Sequence, residues 1–359
     1  MREILADLDI WLEAGEEIAL ATLVGVRGSA PRLPGARLAL TRSGRMAGSV
    51  SGGCVENDVF ERALAVLDSG EPATAEYGIA DELGFEVGLS CGGTIEVLIE
   101  PFAADPAWDA VREAVETQRP AALAIGLAPD TLRGRKLAMR GDDRLGGVDS
   151  KLDGELAAEA ERMLLSGGAR IVTLPYEGGE ASVFVEAFPP QPRLLLVGAT
   201  HVAMPLSRFA KELGFRVTVI DARSLFATKE RFPEADEVLN EWPHGALTDA
   251  GLDAYAYVVV LTHDPKFDLP ALELALRADT RYVGAMGNRA THERRKEHLR
   301  GQGFGEGDLA RIHAPVGLDL GGRGPEEIAL AIVAEMLAVR YGKEAQPLTG
   351  GSGPTHAGR

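Results

Sequence analysis

A βαβ unit in the second half of the chain constrains the fold more than any other feature of the sequence. It begins with the apolar strand Arg193–Val197, continues through a turn at Gly198 and an amphipathic helix to Leu213, and returns as the strand Phe215–Ile220. An acidic residue, Asp221, follows about 20 positions after the glycine, as in dinucleotide-binding units. The sequence therefore predicts the α/β fold class, with a C-terminal Rossmann-like, doubly wound parallel sheet.

The glycine fingerprint of this unit is incomplete. The pattern G-x-G-x-x-G/A is matched here by Gly198, Thr200 and Ala203, so a β-branched residue replaces the glycine that lets a pyrophosphate approach the backbone. The pattern supports the Rossmann-like fold better than it supports a bound NAD(P).

Further predicted strands of this sheet end in polar residues. Tyr255–Leu261 leads into a Thr-His-Asp sequence, and Thr280–Val283 leads towards a Gly-Asn-Arg sequence. Ligands of open parallel sheets bind at the carboxyl ends of the strands. The residues predicted to line one crevice at these ends are His201, Asp221, His263, Asp264 and Arg289. The basic helix over residues 289–300 is predicted to present a solvated face.

The chain length suits two domains. Domains commonly hold roughly 100–200 residues, and the chain has 359. The proline-rich residues 189–192 cannot continue a helix or a central strand, so this segment is predicted to be a stiff linker. We predict an N-terminal mixed α+β domain over residues 1–188, a Rossmann-like domain over 193–343, and a disordered tail over 344–359, which lacks apolar periodicity.

The acidic composition excludes some classes of partner. The formal net charge of -17 opposes the phosphate contacts that dominate nucleic-acid affinity, so no nucleic acid is expected to bind. No apolar run approaches the ~18 residues needed to cross a membrane, and the acidic N-terminus does not resemble a secretion signal. The protein is therefore expected to be cytoplasmic and to have no membrane span.

A glycine pair precedes a cysteine at Gly52-Gly53-Cys54. Apolar residues recur at helical spacing from Val55 to Leu67, so the cysteine is predicted to lie at the start of a helix. Unpaired backbone N–H groups and the helix dipole favour a thiolate, a phosphate or a soft metal centre at such a position. The glycines remove side chains that would block close approach.

The second cysteine stands in the reverse order, as Cys91-Gly92-Gly93. The two cysteine segments could face each other in one pocket, or each cysteine could be a small buried hydrophobe beside a turn. The chain contains two cysteines, too few for an all-cysteine zinc site, and a structural disulfide is not expected in a reducing compartment.

Motifs in both halves of the chain resemble one known family. They are Arg27–Arg32, Gly48–Glu56, Leu89–Gly93, Leu196–Ala203, Leu261–Asp264, Tyr282–Arg289 and Ile312–Gly321. The Gly-Gly-Cys-Val-Glu and His-Ala-Pro-Val-Gly-Leu-Asp sequences are specific, unlike the glycine turn alone. In these motifs the chain resembles the XdhC/CoxI proteins, maturation factors of molybdenum hydroxylases such as xanthine dehydrogenase.

The resemblance implies that the chain binds the molybdenum cofactor, a pyranopterin dithiolene that carries the metal and a phosphate. The chain would protect the cofactor while a terminal sulfur replaces an oxygen, and then hand it to the apoenzyme. Cys54 would face the metal or relay sulfur, and Cys91 would be a second contact. Arg27 and Arg32 would bind the phosphate or the pterin, and Glu56 is interpreted as a cap or packing group more than as an acid or base. The other expected contacts are Gly28, Ser29, Gly52, Gly53, Gly92 and Gly93.

The resemblance also implies partners, namely a molybdenum hydroxylase apoenzyme and a cysteine desulfurase or sulfurtransferase. A homodimer is expected because closed two-fold assemblies are the commonest. Two other functions stay open. A NAD(P)-dependent oxidoreductase would use the βαβ unit with Asp221 and His263, and a redox-sensing thiol protein would form a Cys54–Cys91 disulfide.

Overall fold

The computed structural model describes residues 3–78, 93–103, 105–347 and 349. These residues form two compact units, of which the N-terminal unit ends at Pro190 and the C-terminal unit begins at Gln191. The division falls inside the proline-rich segment. Most of the tail that the sequence predicts to be disordered lies outside the described residues.

The N-terminal unit combines antiparallel strands with helices. Its described helices are α1 (Leu5–Glu13), α2 (Glu56–Ser69), α3 (Pro106–Glu116) and α4 (Asp153–Leu164). Its described strands are β1 (Ile18–Arg27), β2 (Arg37–Thr41), β3 (Met46–Gly48), β4 (Ala73–Tyr77), β5 (Thr94–Phe102), β6 (Ala121–Ala128), β7 (Lys136–Arg140), β8 (Asp143–Gly146), β9 (Gly168–Tyr176) and β10 (Gly179–Phe188).

Two sheets form the middle layers of this unit. Within the described residues they have five strands each, in the orders β3-β2-β1-β5-β4 and β8-β7-β6-β10-β9. One apolar core lies between the sheets and is closed by α1 and α3, while α2 and α4 cover the outer faces. Both faces of β1 are therefore buried, which explains its continuous apolar sequence.

The N-terminal unit is an internal duplication. The first repeat runs from α1 to β5 and the second from α3 to β10, and in each repeat a helix precedes three strands, a second helix and two strands. The two sheets have the same strand order when the second repeat is renumbered from its first strand. Each repeat also carries a bulge at the same place, between Leu23 and Gly25 against β5 and between Ser182 and Val183 against β6.

Two buried ion pairs join the repeats reciprocally. Arg37 on β2 pairs with Glu186 on β10, and Lys136 on β7 pairs with Glu100 on β5. Glu100 lies opposite Leu20 and Glu186 lies opposite Leu123, so the two glutamates occupy equivalent positions. Each repeat therefore supplies the basic residue of one pair and the carboxylate of the other.

The C-terminal unit alternates strands with helices. Its described strands are β11 (Arg193–Val197), β12 (Arg216–Ile220), β13 (Glu237–Leu239), β14 (Ala256–Val260), β15 (Tyr282–Ala285) and β16 (Ile312–His313). Its described helices are α5 (Ala203–Glu212), α6 (Pro243–Ala250), α7 (Pro265–Arg277), α8 (Arg289–Gly301), α9 (Glu306–Ala310) and α10 (Pro325–Tyr341).

The sheet of this unit is parallel between all described neighbours, in the order β13-β12-β11-β14-β15-β16. This is the strand order of the Rossmann fold. The helices α5 and α10 pack on one face, and α6 to α9 pack on the other. The predicted fold class is confirmed, including the doubly wound parallel sheet.

The structure adds local features that the sequence does not reveal. The sequence also gives no sign of β16, because its two residues are too few to show periodicity. The predicted solvated basic face of α8 is present, with Arg289, Arg294 and Arg300 exposed, but the helix also buries His292 and Arg295. A basic sequence does not reveal that one of its cations has a buried partner.

Candidate functional site

Cys54 lies on an exposed loop between β3 and α2. The helix begins at Glu56 with Val55 as its N-cap, so the cysteine precedes the helix by two positions. The backbone at Gly52 and Gly53 has φ of 79° and 109°, a region that glycine adopts without the steric cost of other residues. The glycine pair thus lets the loop turn sharply beside an exposed thiol.

One carboxylate holds this loop together. Glu56 is 9% exposed, and its Oε1 accepts hydrogen bonds from Ser49 Oγ at 2.6 Å and from the Ser51 N–H at 3.0 Å. Its Oε2 accepts from the N–H groups of Gly53 and Val55, at 2.9 and 3.2 Å, and from the Ser51 hydroxyl. Burial opposes ionisation, but the hydrogen bonds from Ser49 and Ser51 lower the pKa of Glu56 to about 2. The carboxylate is therefore ionised at neutral pH.

Side chains of the loop and of α2 already accept the hydrogen bonds that an anionic ligand would accept. The sequence predicts unpaired N–H groups at the helix start, and this prediction is wrong from Gly52 to Val55. The Gly52 N–H donates to Ser49 Oγ, and the Cys54 N–H donates to Ser51 Oγ. The Gly53 N–H donates to Glu56, and the Val55 N–H is shared between Ser51 Oγ and Glu56. The loop consequently offers an incoming ligand its thiol, because these four N–H groups already have acceptors.

Three motifs of the N-terminal unit meet beside this loop. Arg27 at the end of β1 pairs with Thr94 on β5, which brings the preceding Gly93 against the segment that follows β1. A Cβ added at Gly93 would lie 2.1 Å from the carbonyl oxygen of Ser29. A Cβ added at Gly52 would lie 3.7 Å from the side chain of Pro31. The segments that contain Ser29, Gly52 and Gly93 are therefore neighbours, while Cys91 and Gly92 lie outside the described residues.

The close approach at Gly93 allows a test of this packing. We expect Gly93→Ala to destabilise the N-terminal unit by about 1–3 kcal/mol, because the Cβ meets backbone atoms of Ser29 that cannot rotate away. Chemical denaturation followed by circular dichroism measures the change. Gly154→Ala is the control, since a Cβ there meets nothing within 4 Å. Equal stability of the two variants would contradict the described contact.

The two arginines of the first motif form ion pairs at the surface. Arg27 Nη2 lies 2.6 Å from Glu76 Oε1, and Arg32 Nη2 lies 2.6 Å from Glu3 Oε2. Gly28, between β1 and Ser29, has φ of 79°. Exposed pairs of this kind contribute about 0–1 kcal/mol, so either guanidinium can exchange its partner for a phosphate at little expense.

The second repeat builds the same strand, loop and helix without a thiol. Asp153 opens α4 as Glu56 opens α2, and its Oδ1 accepts from the N–H groups of Val148 and Asp149 at 3.0 and 3.1 Å. The loop before Asp153, residues 147–152, contains no cysteine. The fold therefore forms this element without a thiol, and folding alone does not explain why the first repeat carries Cys54.

In the C-terminal unit, the turn after β11 packs against the side chain of Asp221. This carboxylate is fully buried, and its Oδ2 accepts from the Ala199 N–H at 2.8 Å and from Arg223 Nη2 at 2.7 Å. Burial opposes ionisation, but the hydrogen bonds from Arg223 lower the pKa of Asp221. A Cβ at Gly198 would lie 2.3 Å from Thr262 Cγ2. The carboxylate that the fingerprint assigns to a ribose hydroxyl is already occupied by protein groups.

The other predicted crevice residues lie at the carboxyl edge of the sheet. His201 follows β11, His263 follows β14 and Arg289 opens α8 after β15, and all three are exposed. Asp264 is the N-cap of α7, where its Oδ1 accepts from the Lys266 N–H at 3.0 Å. The strand ends bring these residues to one edge of the sheet, and that they line one ligand crevice stays a prediction.

Two family models match the chain. The model described as the XdhC and CoxI family matches residues 11–78, which include the Cys54 loop, and the model described as the XdhC Rossmann domain matches residues 194–336. A probable xanthine dehydrogenase subunit from Bacillus subtilis is 30% identical over 338 residues, which are 93% of this chain and 96% of that protein. The chain belongs to the XdhC/CoxI family.

Other relatives of this XdhC/CoxI protein cover both units. The molybdenum cofactor insertion chaperone PaoD of Escherichia coli is 27% identical over 333 residues, which are 93% of this chain and 86% of PaoD. A crystal structure described as a xanthine dehydrogenase from Bacillus halodurans matches with a TM-score of 0.66 and 26% identity. That match covers 95% of this chain and 97% of the other. The resemblance seen in the sequence motifs is thus confirmed along nearly the whole chain.

Sequence reasoning missed a buried network at the carboxyl edge of the XdhC/CoxI Rossmann domain. Arg295 on α8 pairs with Asp268 on α7, and its Nη1 donates to the carbonyl oxygen of Met286 at 2.7 Å. Asp268 also accepts from the hydroxyl of Thr262, which follows β14. The network fixes the ends of β14 and β15. Arg295 and Asp268 are 27 positions apart in the chain, so no local pattern reveals their pairing.

The described residues contain neither a ready-made metal centre nor a membrane helix. Across residues 3–78, 93–103 and 105–347, no three His, Cys, Asp or Glu side chains cluster as ligands for a metal ion. In the same part of the chain, no helix combines the length and the apolar character needed to cross a membrane.

Proposed function

We propose that this XdhC/CoxI protein binds the molybdenum cofactor, protects it during sulfuration and inserts it into an apoenzyme of the xanthine dehydrogenase type. The observation that carries the proposal is the exposed Cys54 on a preorganised loop, which the second repeat builds without a thiol. The name of PaoD, a molybdenum cofactor insertion chaperone, supports the same role.

The residues around Cys54 suit such a ligand. A thiolate is a soft ligand, as a molybdenum centre with sulfur ligands requires. Gly52 and Gly53 have no side chains to obstruct a bulky group beside the thiol. Arg27, Arg32, Gly28 and Ser29 of the neighbouring segment would bind the phosphate, and Cys91 would be a second sulfur contact. When bound, the cofactor supplies a metal centre at which a terminal oxygen can be exchanged for sulfur.

The protein groups have distinct tasks in this proposal. Glu56 keeps the loop in one conformation, so the Cys54 thiol needs no ordering when the cofactor arrives. The exposed position of Cys54 lets a partner reach the bound cofactor for sulfuration and for transfer. A cysteine desulfurase or sulfurtransferase would supply the sulfur, and the hydroxylase apoenzyme would receive the product. A homodimer would present two such sites.

The alternative, a NAD(P)-dependent oxidoreductase, is less well supported. Asp221 has no solvent-exposed side-chain surface, and its oxygens accept hydrogen bonds from Arg223 and Ala199. A ribose hydroxyl would have to displace both groups. A NAD(P)-dependent reaction in the C-terminal unit would not use the exposed thiol of Cys54 in the N-terminal unit.

Cofactor retention tests the proposal. We expect the full-length protein to retain molybdenum cofactor at close to one pterin per chain after incubation with released cofactor and gel filtration. Cys54→Ala should weaken retention at least about tenfold, a loss that even outer-shell partners of a metal can cause. Cys54→Ser should weaken it similarly, because oxygen is a harder ligand than sulfur.

The control for this experiment is Glu61→Gln, an exposed change on α2 that leaves the loop intact. Retained pterin is measured by fluorescence after oxidation. Retention by Cys54→Ala at the wild-type level would refute the role of Cys54, and no retention by the wild type would refute cofactor binding. Saturable NADH binding by the wild type would favour the oxidoreductase.

A further inference from the structure

A cavity of about 340 Å³ opens where β1 and β5 of the first sheet meet β9 of the second. Its polar lining residues are Arg27, Thr94, Glu96 and Arg170. Pro34 also lines it, on the same segment whose Pro31 approaches Gly52, so the cavity and the Cys54 loop border one segment. The volume falls within the range of about 300–1,000 Å³ that is usual for small-molecule sites.

Glu96 is the unusual residue of this cavity. It lies directly opposite Glu76 on β4, and carboxylates placed opposite each other on neighbouring strands repel. Arg27 pairs with Glu76, whereas within the described residues no hydrogen bond or ion pair ends on the side chain of Glu96. Burial and the carboxylate of Glu76 raise the pKa of Glu96, and the charge of Arg27 offsets this only in part. The cavity therefore holds a half-buried carboxylate in an unfavourable place.

The second repeat shows that the fold does not need this carboxylate. The bulge of β1 against β5 recurs between β6 and β10, so the register places Ser182 at the position equivalent to Glu96. The next strand then places Thr173 at the position equivalent to Glu76. Both equivalent residues are uncharged. The repulsion between Glu76 and Glu96 is specific to the first repeat, as the thiol is, which points to a ligand for Glu96.

The hydrogen-bonding chemistry of a carboxylate indicates which kind of ligand Glu96 would bind. An ionised carboxylate only accepts hydrogen bonds, and it is best satisfied by two parallel N–H donors. A 2-amino-4-oxopyrimidine ring has such a pair in its exocyclic amino group and the adjacent ring N–H, and both pterins and guanine carry this edge. Val24, Val26 and Ile171 give the cavity apolar surface for a flat ring.

We propose that Glu96 binds the 2-amino-4-oxopyrimidine edge of the pterin of the molybdenum cofactor, with the ring inside this cavity. The proposal rests on the proposed function and assigns a site within it. Glu96 would select the pterin, while Cys54 would contact the metal end of the same ligand. Arg27 lies on the cavity rim and can turn from Glu76 to the ligand.

Binding of small pteridines tests the proposal directly. The probes are 6-hydroxymethylpterin, which has the two-donor edge, and lumazine, in which an oxygen replaces the 2-amino group. We expect the full-length protein to prefer the pterin by roughly 10–100-fold, because lumazine places an acceptor against the carboxylate. Ligand fluorescence measures both dissociation constants. Equal affinities would overturn the proposal, as would tighter binding of guanosine 5′-monophosphate than of the pterin.

Two variants test whether Glu96 causes the preference for the pterin over lumazine. Glu96→Gln presents a donor to the amino group of the pterin, and Glu96→Ser copies a residue that the second repeat accommodates at the equivalent position. Both variants should lose the preference for the pterin over lumazine. The free energy of unfolding of Glu96→Ser should be no lower than that of the wild type, because the substitution removes the repulsion with Glu76. Glu61→Gln, with the same change of charge, should keep the preference. A preference that survives in Glu96→Ser would overturn the proposal.

The same proteins separate this proposal from the proposed function. If the wild type and Glu96→Ser retain the complete cofactor with the same affinity, the Glu96 assignment fails and the carrier function stands. If the wild type retains no cofactor but prefers the pterin over lumazine through Glu96, the carrier function fails and the pterin site stands.

Discussion

Glu56→Gln is expected to lower the free energy of unfolding of the N-terminal unit by about 2–3 kcal/mol at pH 7. In the folded protein the carboxylate has a pKa of about 2 in place of its ordinary 4.5, so folding favours its ionised form. Glutamine keeps one acceptor oxygen and replaces the other with an amino group. The Gly53 N–H would then face a donor, while the Val55 N–H would keep its hydrogen bond to Ser51 Oγ. An N–H group left without an acceptor costs about 1–3 kcal/mol.

The dependence on pH identifies the carboxylate as the source of this effect. Because folding lowers the pKa of Glu56, its stabilisation is fully present above the unfolded-state pKa and is lost as the pH falls through the folded-state pKa. The difference between wild type and Glu56→Gln should therefore be constant from pH 7 to about pH 5. It should shrink between pH values of about 4.5 and about 2.

The measurement must isolate the N-terminal unit, because chains with two units often unfold in more than one step. The three tryptophans are Trp11, Trp108 and Trp242, and a Trp242→Phe background leaves fluorescence only from the N-terminal unit. Urea titrations at several pH values then give the unfolding free energy of each variant. Glu61→Gln should change little at any pH, since its carboxylate is exposed. If the unfolding free energy of Glu56→Gln stayed below that of the wild type by the same amount down to pH 3, the carboxylate of Glu56 would not be the source of the effect.

The Rossmann-like unit could be predicted from the sequence because its signals are local. An apolar strand, a glycine turn and an amphipathic helix follow one another between Arg193 and Leu213, and the structure places β11 and α5 there. The prediction failed where it depended on contacts that the local pattern does not show. Asp221 has the position of a ribose ligand in the pattern, but only the folded turn shows that Ala199 and Arg223 already occupy it.

The duplication of the N-terminal unit was not predicted, although a trace of it exists in the sequence. Gly-Ala-Arg-Leu-Ala-Leu at 35–40 and Gly-Arg-Lys-Leu-Ala-Met at 134–139 open β2 and β7 at equivalent places. Six residues are too few to establish a repeat without the strand order. Cys54 and Glu56 were found because their motif is contiguous. Glu96 was missed because its relation to Glu76 depends on the register of two strands.

The reciprocal ion pairs show most clearly what the sequence cannot reveal. Arg37 and Glu186 are 149 positions apart, and the guanidinium makes paired contacts with the carboxylate, one of them at 3.1 Å from Nη1 to Oε1. The side chain of Arg37 is fully buried and stacks over the ring of Trp108 at 5.0 Å. Its Nη1 also donates to the carbonyl oxygen of Gly35, at the end of the segment that borders the cavity.

Arg37→Met is accordingly expected to destabilise the N-terminal unit by about 3–5 kcal/mol, the usual effect of removing one partner from a buried ion pair. The loss comes mainly from the carboxylate of Glu186, which would stay buried without its cation. Replacing both partners, as in Arg37→Met with Glu186→Leu, should recover most of the stability, because well-packed apolar residues can substitute for a buried pair. The double variant should therefore be more stable than either single variant.

The same fluorescence assay in the Trp242→Phe background measures this cycle, and Arg42→Met is the matched control. Arg42 pairs with Glu17 and Asp68 at the surface, so its replacement should change the transition little. The Lys136–Glu100 pair stays intact in every variant and keeps the second connection between the repeats. If the double variant were no more stable than Arg37→Met, the loss would come from packing around Trp108 and Gly35, and the ion pair would not be what joins the two sheets.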